Sequence, residues 1–554
     1  MIFERSQKAL CEKMKGDTEM KRVLSLVLSA LLIVSMLMTG AMAETMEVEQ
    51  TLHLVRFASN NYNTYDFIYP WTDLNDSSLE TNLLWLTLIQ ADKNLEASEP
   101  EIMESWEVSE DGCTITMTMR DDLQWSDGTP ITMDDIIWTF EQYCAGESNF
   151  WSYVTSAMAY IEGYDAFHNG EADSISGLAV DGNVLTITLV KPYASFLNLM
   201  CQVAPLPKHI YENCSFANNS FKTDPIWQSV KVNSGPFIVT EHVPGSYYVL
   251  EPNPYYKGEP SKITKVISTV VSSKAVAAQN GEVDFFETTS IDDYNVMSQL
   301  ADYHMEAVPI IFFRFLMFNF YDSEGNPKDF VSDVRVRQAI AKGVDWKTII
   351  EGLFGEQASL TQTGVLSNDP NYAGDWYEYD PEGAKALLDE AGFDYNHTLK
   401  AFYYYTDQTT IDIMDAISYY LGMLGVKVEA VYTANTAADV FEGRTHDFAY
   451  YGLSAFDNLS WYQMYLRPNF DELLGSIDVF EDAVSELEVA FTDELMAEAL
   501  AKLQAMDEEN IFFLPVYTIN QQAWIKNTLS IPEDSLGNGW FFYDHNFEEW
   551  EIIA

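Results

Sequence analysis

An α/β fold is what this sequence predicts, and three observations predict it: strand-period alternation, capped helix-period stripes, and the repeated passage from helix to strand. Ile115, Met117 and Met119 alternate with Thr114, Thr116 and Thr118, the pattern of a half-buried strand. Leu185, Ile187 and Leu189 alternate with Thr186 and Thr188 in the same way. Between them, Thr132 offers a capping hydroxyl and Asp134-Asp135 place acids at the positive end of a helix, with Ile136, Ile137 and Phe140 as its apolar face. Asp380-Pro381 predicts another helix start, Ala384, Leu387, Leu388 and Ala391 its buried stripe, and Gly392 its stop. Ile411, Met414, Ile417, Leu421 and Leu424 form a further stripe closed by Gly425, and the strand Val426 to Val431 follows directly. No short-period repeat and no long Pro- or Ser-rich linker interrupts the chain, so its domains are expected to pack closely.

The chain has 554 residues, 47% hydrophobic and 14% aromatic, enough to fill several cores. Its 85 acidic and 30 basic residues give a formal charge of −55. A nucleic-acid partner is excluded on this count, because phosphate binding needs a Lys/Arg footprint, and an anionic bilayer surface is disfavoured for the same reason. Acidic surfaces keep exported proteins soluble, and exposed charges are screened within a Debye length. Solubility therefore outweighs long-range steering of cationic ligands as the reading of this charge.

Met20-Lys21-Arg22, the apolar run Val23 to Met38 and the small-residue exit Thr39 to Ala43 read as a secretory signal peptide over 20–43, cut after Ala43. The apolar run is shorter than the ~20 residues a membrane span needs. Residues 1–19 are expected to be a mis-assigned N-terminal extension, with translation starting at Met20. No Cys lies near the cleavage site, so a lipid anchor is not expected, and the localisation is extracytoplasmic. Of the four later cysteines, Cys201 and Cys214 are near enough in sequence to form a bridge. Cys113 and Cys144 read as small buried hydrophobes on a strand and a helix.

The eight histidines are scattered, without HExxH or HxH spacing, and no CxxC occurs, so no metal or other cofactor is expected. A GxSxG elbow, a GxxxxGK[ST] loop and a dinucleotide fingerprint are all missing. Acid pairs such as Asp121-Asp122 carry no information about catalysis among so many acids. No constellation points to catalytic residues, and the chain reads as a non-enzyme.

A series of ordered segments does carry information. Ile102 to Gly112 leads into a strand ending at Arg120, then Trp125-Ser126-Asp127-Gly128-Thr129-Pro130 and Asp134-Asp135-Ile136. Lys191-Pro192-Tyr193, Pro205 to His209, Asn233-Ser234-Gly235-Pro236-Phe237, Glu251 to Tyr256, Gly281-Glu282-Val283-Asp284, Asn319, Asp333 to Ile340 and Tyr379-Asp380-Pro381 follow in order. This string, over nearly all of the chain after residue 43, strongly resembles the family 5 extracellular solute-binding proteins of ABC transporters, which include the dipeptide- and oligopeptide-binding proteins.

The resemblance implies a two-lobed periplasmic-binding-protein-like fold (class II, cluster C) with an extra domain on the first lobe. Mapped here, lobe I takes 44–90, 205–308 and 525–554, the extra domain 91–204, and lobe II 309–524, with crossings near Val308 to Phe313 and Leu514 to Gln521. It further implies a monomer that captures a peptide between the lobes and delivers it to the permease subunits of an ABC importer. An oligosaccharide, a nickel chelate or another small solute is the alternative within the family, and a secreted hydrolase the alternative from another class. The family's acid for the peptide α-amino group follows a Gly-aromatic strand end. The matching stretch here is Gly452-Leu453-Ser454-Ala455-Phe456-Asp457, with Asp457 as the anchor and Gly452 to Ala455 as backbone partners. Leu453 stands where the aromatic is usual and the acid comes one residue late, so capping of the following helix is the other reading of Asp457. Tyr62, Asn63 and Thr64, after the first strand, and Tyr517, at the second crossing, complete the expected ligand contacts.

Overall fold

The threonine-alternating segment is a strand, Thr114–Met119, that buries each of its three apolar side chains and leaves its threonines half-buried. It lies second in a four-stranded antiparallel sheet ordered Met103–Val108, Thr114–Met119, Val184–Thr188, Leu178–Asp181. The helix Met133–Cys144 belongs to the same module and starts on the capping box of Thr132 and Asp135. The computed structural model describes residues 49–57, 78–146, 152–216, 226, 232–475 and 478–553. The leader and its cleavage site lie outside them, as do Tyr62, Asn63 and Thr64.

Two larger sheets organise Gln50–Ile552, which forms one unit. The first has seven strands, edge to edge Tyr303–Val308, Gln521–Lys526, Phe285–Thr288, Thr51–Phe57, Lys265–Val271, Tyr247–Pro252 and Phe237–Val243. The second has six: Ala358–Leu360, Phe513–Ile519, Phe312–Phe318, Phe448–Ser454, Thr398–Tyr403 and Lys427–Tyr432. The helix Pro381–Ala391 packs on the helix Val334–Gly343; Asp380 caps it, Pro381 takes its first turn and Gly392 closes it at φ 70°. Gly392 occupies the left-handed conformation that glycine adopts without a Cβ penalty. The helix Gln408–Met423 then feeds the parallel strand Lys427–Tyr432.

The chain passes between the two large sheets twice. Strand Tyr303–Val308 lies in the first and Phe312–Phe318 in the second, with 309–311 between them. Asn520 alone separates Phe513–Ile519 in the second sheet from Gln521–Lys526 in the first. Register places both passages at one edge of the second sheet: Phe312 pairs with Ser454, Arg314 with Gly452, Arg314 with Tyr517, and Tyr403 with Tyr450. For the parallel strands Thr398–Tyr403 and Phe448–Ser454 this is the carboxyl edge, where open α/β sheets bind ligands.

No disulfide joins the described cysteines. The anticipated bridge from Cys201 to Cys214 does not form: Cys201 ends the short helix Phe196–Met200 inside the core, and its thiol donates to the Leu197 carbonyl (3.7 Å). Cys144 is buried as expected, whereas Cys113 sits just before its strand and is only half-buried. Among the described residues, no helix is long and apolar enough to cross a membrane.

Candidate functional site

The strand Phe448–Ser454 ends at the crossing edge, and three residues later Asp457 starts the helix Asn458–Gln463. The Asp457 carboxylate caps that helix, with Oδ1 accepting from the Ser460 N–H (2.8 Å) while Ser460 Oγ accepts from the Asp457 N–H (2.9 Å). Its other oxygen accepts a hydrogen bond from the hydroxyl of Ser195, in the module of the four-stranded sheet. The capping reading of Asp457 is therefore realised, and the residue also reaches across to a second module.

More contacts follow the same seam. Tyr153 donates to the Ser454 carbonyl (2.9 Å), Lys191 pairs with Glu488 (2.7 Å), and the Ala194 N–H donates to the Glu488 carbonyl (2.7 Å). Between these contacts lies a cavity of about 300 Å³, lined by Tyr153, Tyr160, Tyr193, Phe456, Asp457 and Glu488 among others. Acids and tyrosine hydroxyls alternate with aromatic faces around it, a lining for a polar solute with apolar parts. A carboxylate has about four acceptor positions, so Asp457 keeps capacity beyond its cap and its Ser195 partner.

The remaining expected contacts divide. Phe456 lines the cavity and stacks edge-on against Phe541 (5.1 Å between centroids). The Ala455 N–H, read from sequence as a donor to ligand, is instead spent on the Ile311 carbonyl (3.0 Å). Leu453 and Ser454 are half-buried at the strand end, paired with Phe313 and Phe312. Tyr517 is fully buried, its hydroxyl bonded to that of Tyr450 and its ring 4.9 Å from Phe354. Burial pushes its hydroxyl up to about 12, so it stays protonated as a hydrogen-bonding group.

Gly452 pairs with Arg314 across the strands, and its carbonyl accepts from the Tyr404 hydroxyl (3.3 Å). The Arg314 side chain lies across it, with its guanidinium between the rings of Phe312 (4.1 Å) and Tyr405 (4.3 Å). Arg314 Nη1 donates to the Tyr405 hydroxyl (2.9 Å), and the Tyr404 hydroxyl donates to that of Tyr405 (2.5 Å). Burial pulls this guanidinium down, but the surrounding tyrosine oxygens, Tyr405 first, leave it above its ordinary value. Sequence reasoning missed Arg314, although a lone cation in the apolar run Ile310 to Phe318 was a visible signal. It also missed Ser195 and Glu488, which reach Asp457 and Lys191 only through the fold. Among the described residues, no group of three or more His, Cys, Asp or Glu could hold a metal ion.

Residues 97–470 match the model of the bacterial extracellular solute-binding proteins, family 5 (middle). The chain belongs to this family. Relatives within it bear different ligand names. The periplasmic oligopeptide-binding protein of Escherichia coli is 26% identical over 361 residues, spanning 60% of this chain and 62% of its own length. The nickel-binding periplasmic protein of Escherichia coli is 28% identical over 306 residues, 53% of each chain. A Brucella ovis protein named for ABC transporter peptide binding is 26% identical, and the match spans 61% of its length. These matches thus cover less than two thirds of the relatives.

Solved structures extend the likeness in fold to 91% of the chain. The ABC transporter substrate-binding protein CtaP of Listeria monocytogenes superposes with a TM-score of 0.75 at 19% identity, covering 91% of this chain and 99% of that one. NikZ of Campylobacter jejuni, in complex with Ni(L-His), gives a TM-score of 0.70 at 20% identity over 91% of this chain and 100% of that one. The fold is the two-lobed one of the family.

Proposed function

We propose that this chain is the extracytoplasmic substrate-binding protein of an ABC importer, which captures a short peptide between two lobes and hands it to the permease. The observation that carries this reading is the cavity of about 300 Å³ between the four-stranded module and the helix capped by Asp457. Its size lies at the small end of the ~300–1,000 Å³ range of ligand pockets, which suits a peptide of a few residues. The lobes divide at the two passages between the large sheets, and rotation about 309–311 and Asn520 opens and closes the seam. Asp457 takes the peptide's α-amino group with the lone pairs left over from its cap, because an ammonium enclosed without a partner is costly. The protein works as a monomer and carries no catalytic residues. Residues 20–43 serve as its secretory leader, and mass spectrometry of the mature N-terminus tests cleavage after Ala43.

A nickel chelate is the second reading, favoured by the identity to the nickel-binding protein, 28%, which equals or exceeds that to the peptide-binding relatives. A thermal-shift screen of the purified protein against di- to hexapeptides, sugars and nickel–histidine separates the classes. A ligand at a hundred times its dissociation constant stabilises by about 2.7 kcal/mol. A peptide shift supports the first reading; a shift with a sugar or the chelate alone overturns it.

A further inference from the structure

The helix Asp478–Glu488 ends on an acid, with no basic residue in its last turn. A carboxylate there faces the negative end of the helix dipole, and the last carbonyls have no partners within the helix, so such an end is unfavourable by itself. Both deficits are met from the module of the four-stranded sheet. Lys191 Nζ pairs with the Glu488 carboxylate (2.7 Å), and the Ala194 N–H donates to the Glu488 carbonyl (2.7 Å). Three residues on, Phe491 completes the junction. A Cβ built on Gly112 would stand 3.0 Å from the Phe491 ring and 3.1 Å from Pro192, so ring and proline meet over that glycine. The segments 191–194 and 488–491 are thus joined by a charge pair, a backbone hydrogen bond and an apolar contact.

The same pair reaches the cavity walls. Gln463 Nε2, on the helix capped by Asp457, donates to Glu488 Oε1 (3.0 Å), and the Tyr193 hydroxyl donates to Gln463 Oε1 (3.4 Å). Tyr193 stacks on Tyr160 (4.1 Å between centroids), and Lys191 Nζ lies 5.3 Å over the Tyr160 ring. The contacts run in a closed circuit from Lys191 through Glu488, Gln463, Tyr193 and Tyr160 back to Lys191. Gln463, Tyr193, Tyr160 and Glu488 line the cavity, whereas Lys191, Pro192, Ala194, Gly112 and Phe491 stand outside it. The junction is a rim, made by protein groups on both sides and by no atom of a solute. A fully exposed ion pair would contribute little, but the Glu488 side chain is only 12% exposed and belongs to a network, so screening is partial.

We propose that the segments 191–194 and 488–491 form a clasp that draws the four-stranded module onto the helix Asp478–Glu488 independently of the solute, with Lys191 and Glu488 as its positioning pair. This rests on the solute-binding reading above and adds to it the residues that set how far the seam is closed before a solute enters. A competent state that is only fractionally populated weakens every ligand by that fraction. The clasp therefore scales the affinity for all solutes alike and does not choose among them.

Small-angle X-ray scattering of the purified protein tests the clasp with no solute added. Lys191→Glu sets a like charge against Glu488, and Phe491→Ser removes the apolar contact; each is expected to raise the radius of gyration. Adding Glu488→Lys to Lys191→Glu restores the pair with its charges exchanged and is expected to bring the radius back toward wild type, a rescue that a general loss of packing would not give. The melting temperature of each variant reports its folding. Calorimetry then uses di- to hexapeptide pools, a sugar and nickel–histidine. Lys191→Met, which removes a charge outside the cavity, is expected to weaken every probe that binds by one common factor, about threefold, and the factor should shrink toward one at about 1 M salt. An unchanged radius in Lys191→Glu and Phe491→Ser, or no recovery in the exchanged pair, overturns the clasp and leaves the solute-binding reading standing. A loss that differs from probe to probe makes Lys191 a reader of the solute and also overturns it. The expected changes in radius, with no probe bound by wild type, uphold the clasp and count against the solute-binding reading alone.

Discussion

Arg314 lies directly across the strand pair from Gly452, and its guanidinium fills the space a side chain at 452 would occupy. A Cβ built on Gly452 collides with Arg314 Nη1 and with the Tyr405 hydroxyl. The glycine of the family-like strand end therefore serves here as a seat for a cation.

Gly452→Ala is expected to push the guanidinium off its seat. Overpacking of this kind costs about 1–3 kcal/mol, which urea unfolding at neutral pH will read. Tyr405→Phe, which removes the hydrogen bond from Arg314 and no volume, should cost less stability.

Asp457→Asn retains a good helix cap, because asparagine accepts from the Ser460 N–H as aspartate does. Its folding stability should change by less than about 1 kcal/mol. Binding of free-amine peptides should weaken more than that of N-acetylated ones. Equal loss for both would show that Asp457 acts only as the cap.

Ser195→Ala cuts the hydroxyl that ties the four-stranded module to Asp457. Hydrogen bonds to charged groups contribute roughly 1.5–3 kcal/mol, reduced here, where Ser195 is buried but Asp457 is partly open to solvent, to about 1 kcal/mol. The expected result is an approximately fivefold weaker affinity for whichever solute binds, with more of the loss in the dissociation rate than in the association rate.

The local grammar of the fold was legible in the sequence. Thr114 to Met119 alternated as a strand must, and Asp380, Pro381 and Gly392 marked both ends of a helix that forms where they stand. These signals are short-range, so neighbours in the chain suffice to read them. The site was legible only in part, because its partners are distant. Asp457 meets Ser195 across 262 positions, and Arg314 meets Tyr405 across 91. Tyr517 looked like a polar aromatic at a crossing, yet its hydroxyl is bonded to Tyr450, 67 positions away in sequence. Nothing in the local string distinguishes such a residue from one that faces a ligand.

His446 gives a pH prediction. It is fully buried against Phe402 (5.0 Å), and neither ring nitrogen has a hydrogen-bond partner among the described residues. Burial, with Lys328 and Lys400 adding to it, depresses its pKa to about 3. The unfolded chain binds a proton near 6.5 and the folded one does not, so the stability His446 allows is full above pH 6.5 and is lost as pH falls toward 3. By pH 5 the loss amounts to about 2 kcal/mol relative to alkaline pH. His446→Leu should lack this component, so the stability difference between variant and wild type should widen in the variant's favour by that amount on acidification.

A crystal structure of the protein saturated with the peptide pool that stabilises it most tests the central claim directly. The expected result is ligand density enclosed between the two large-sheet halves, with an amino group at Asp457. Density that touches one half only, or a solute that leaves Asp457 in its present contacts alone, would contradict the peptide reading.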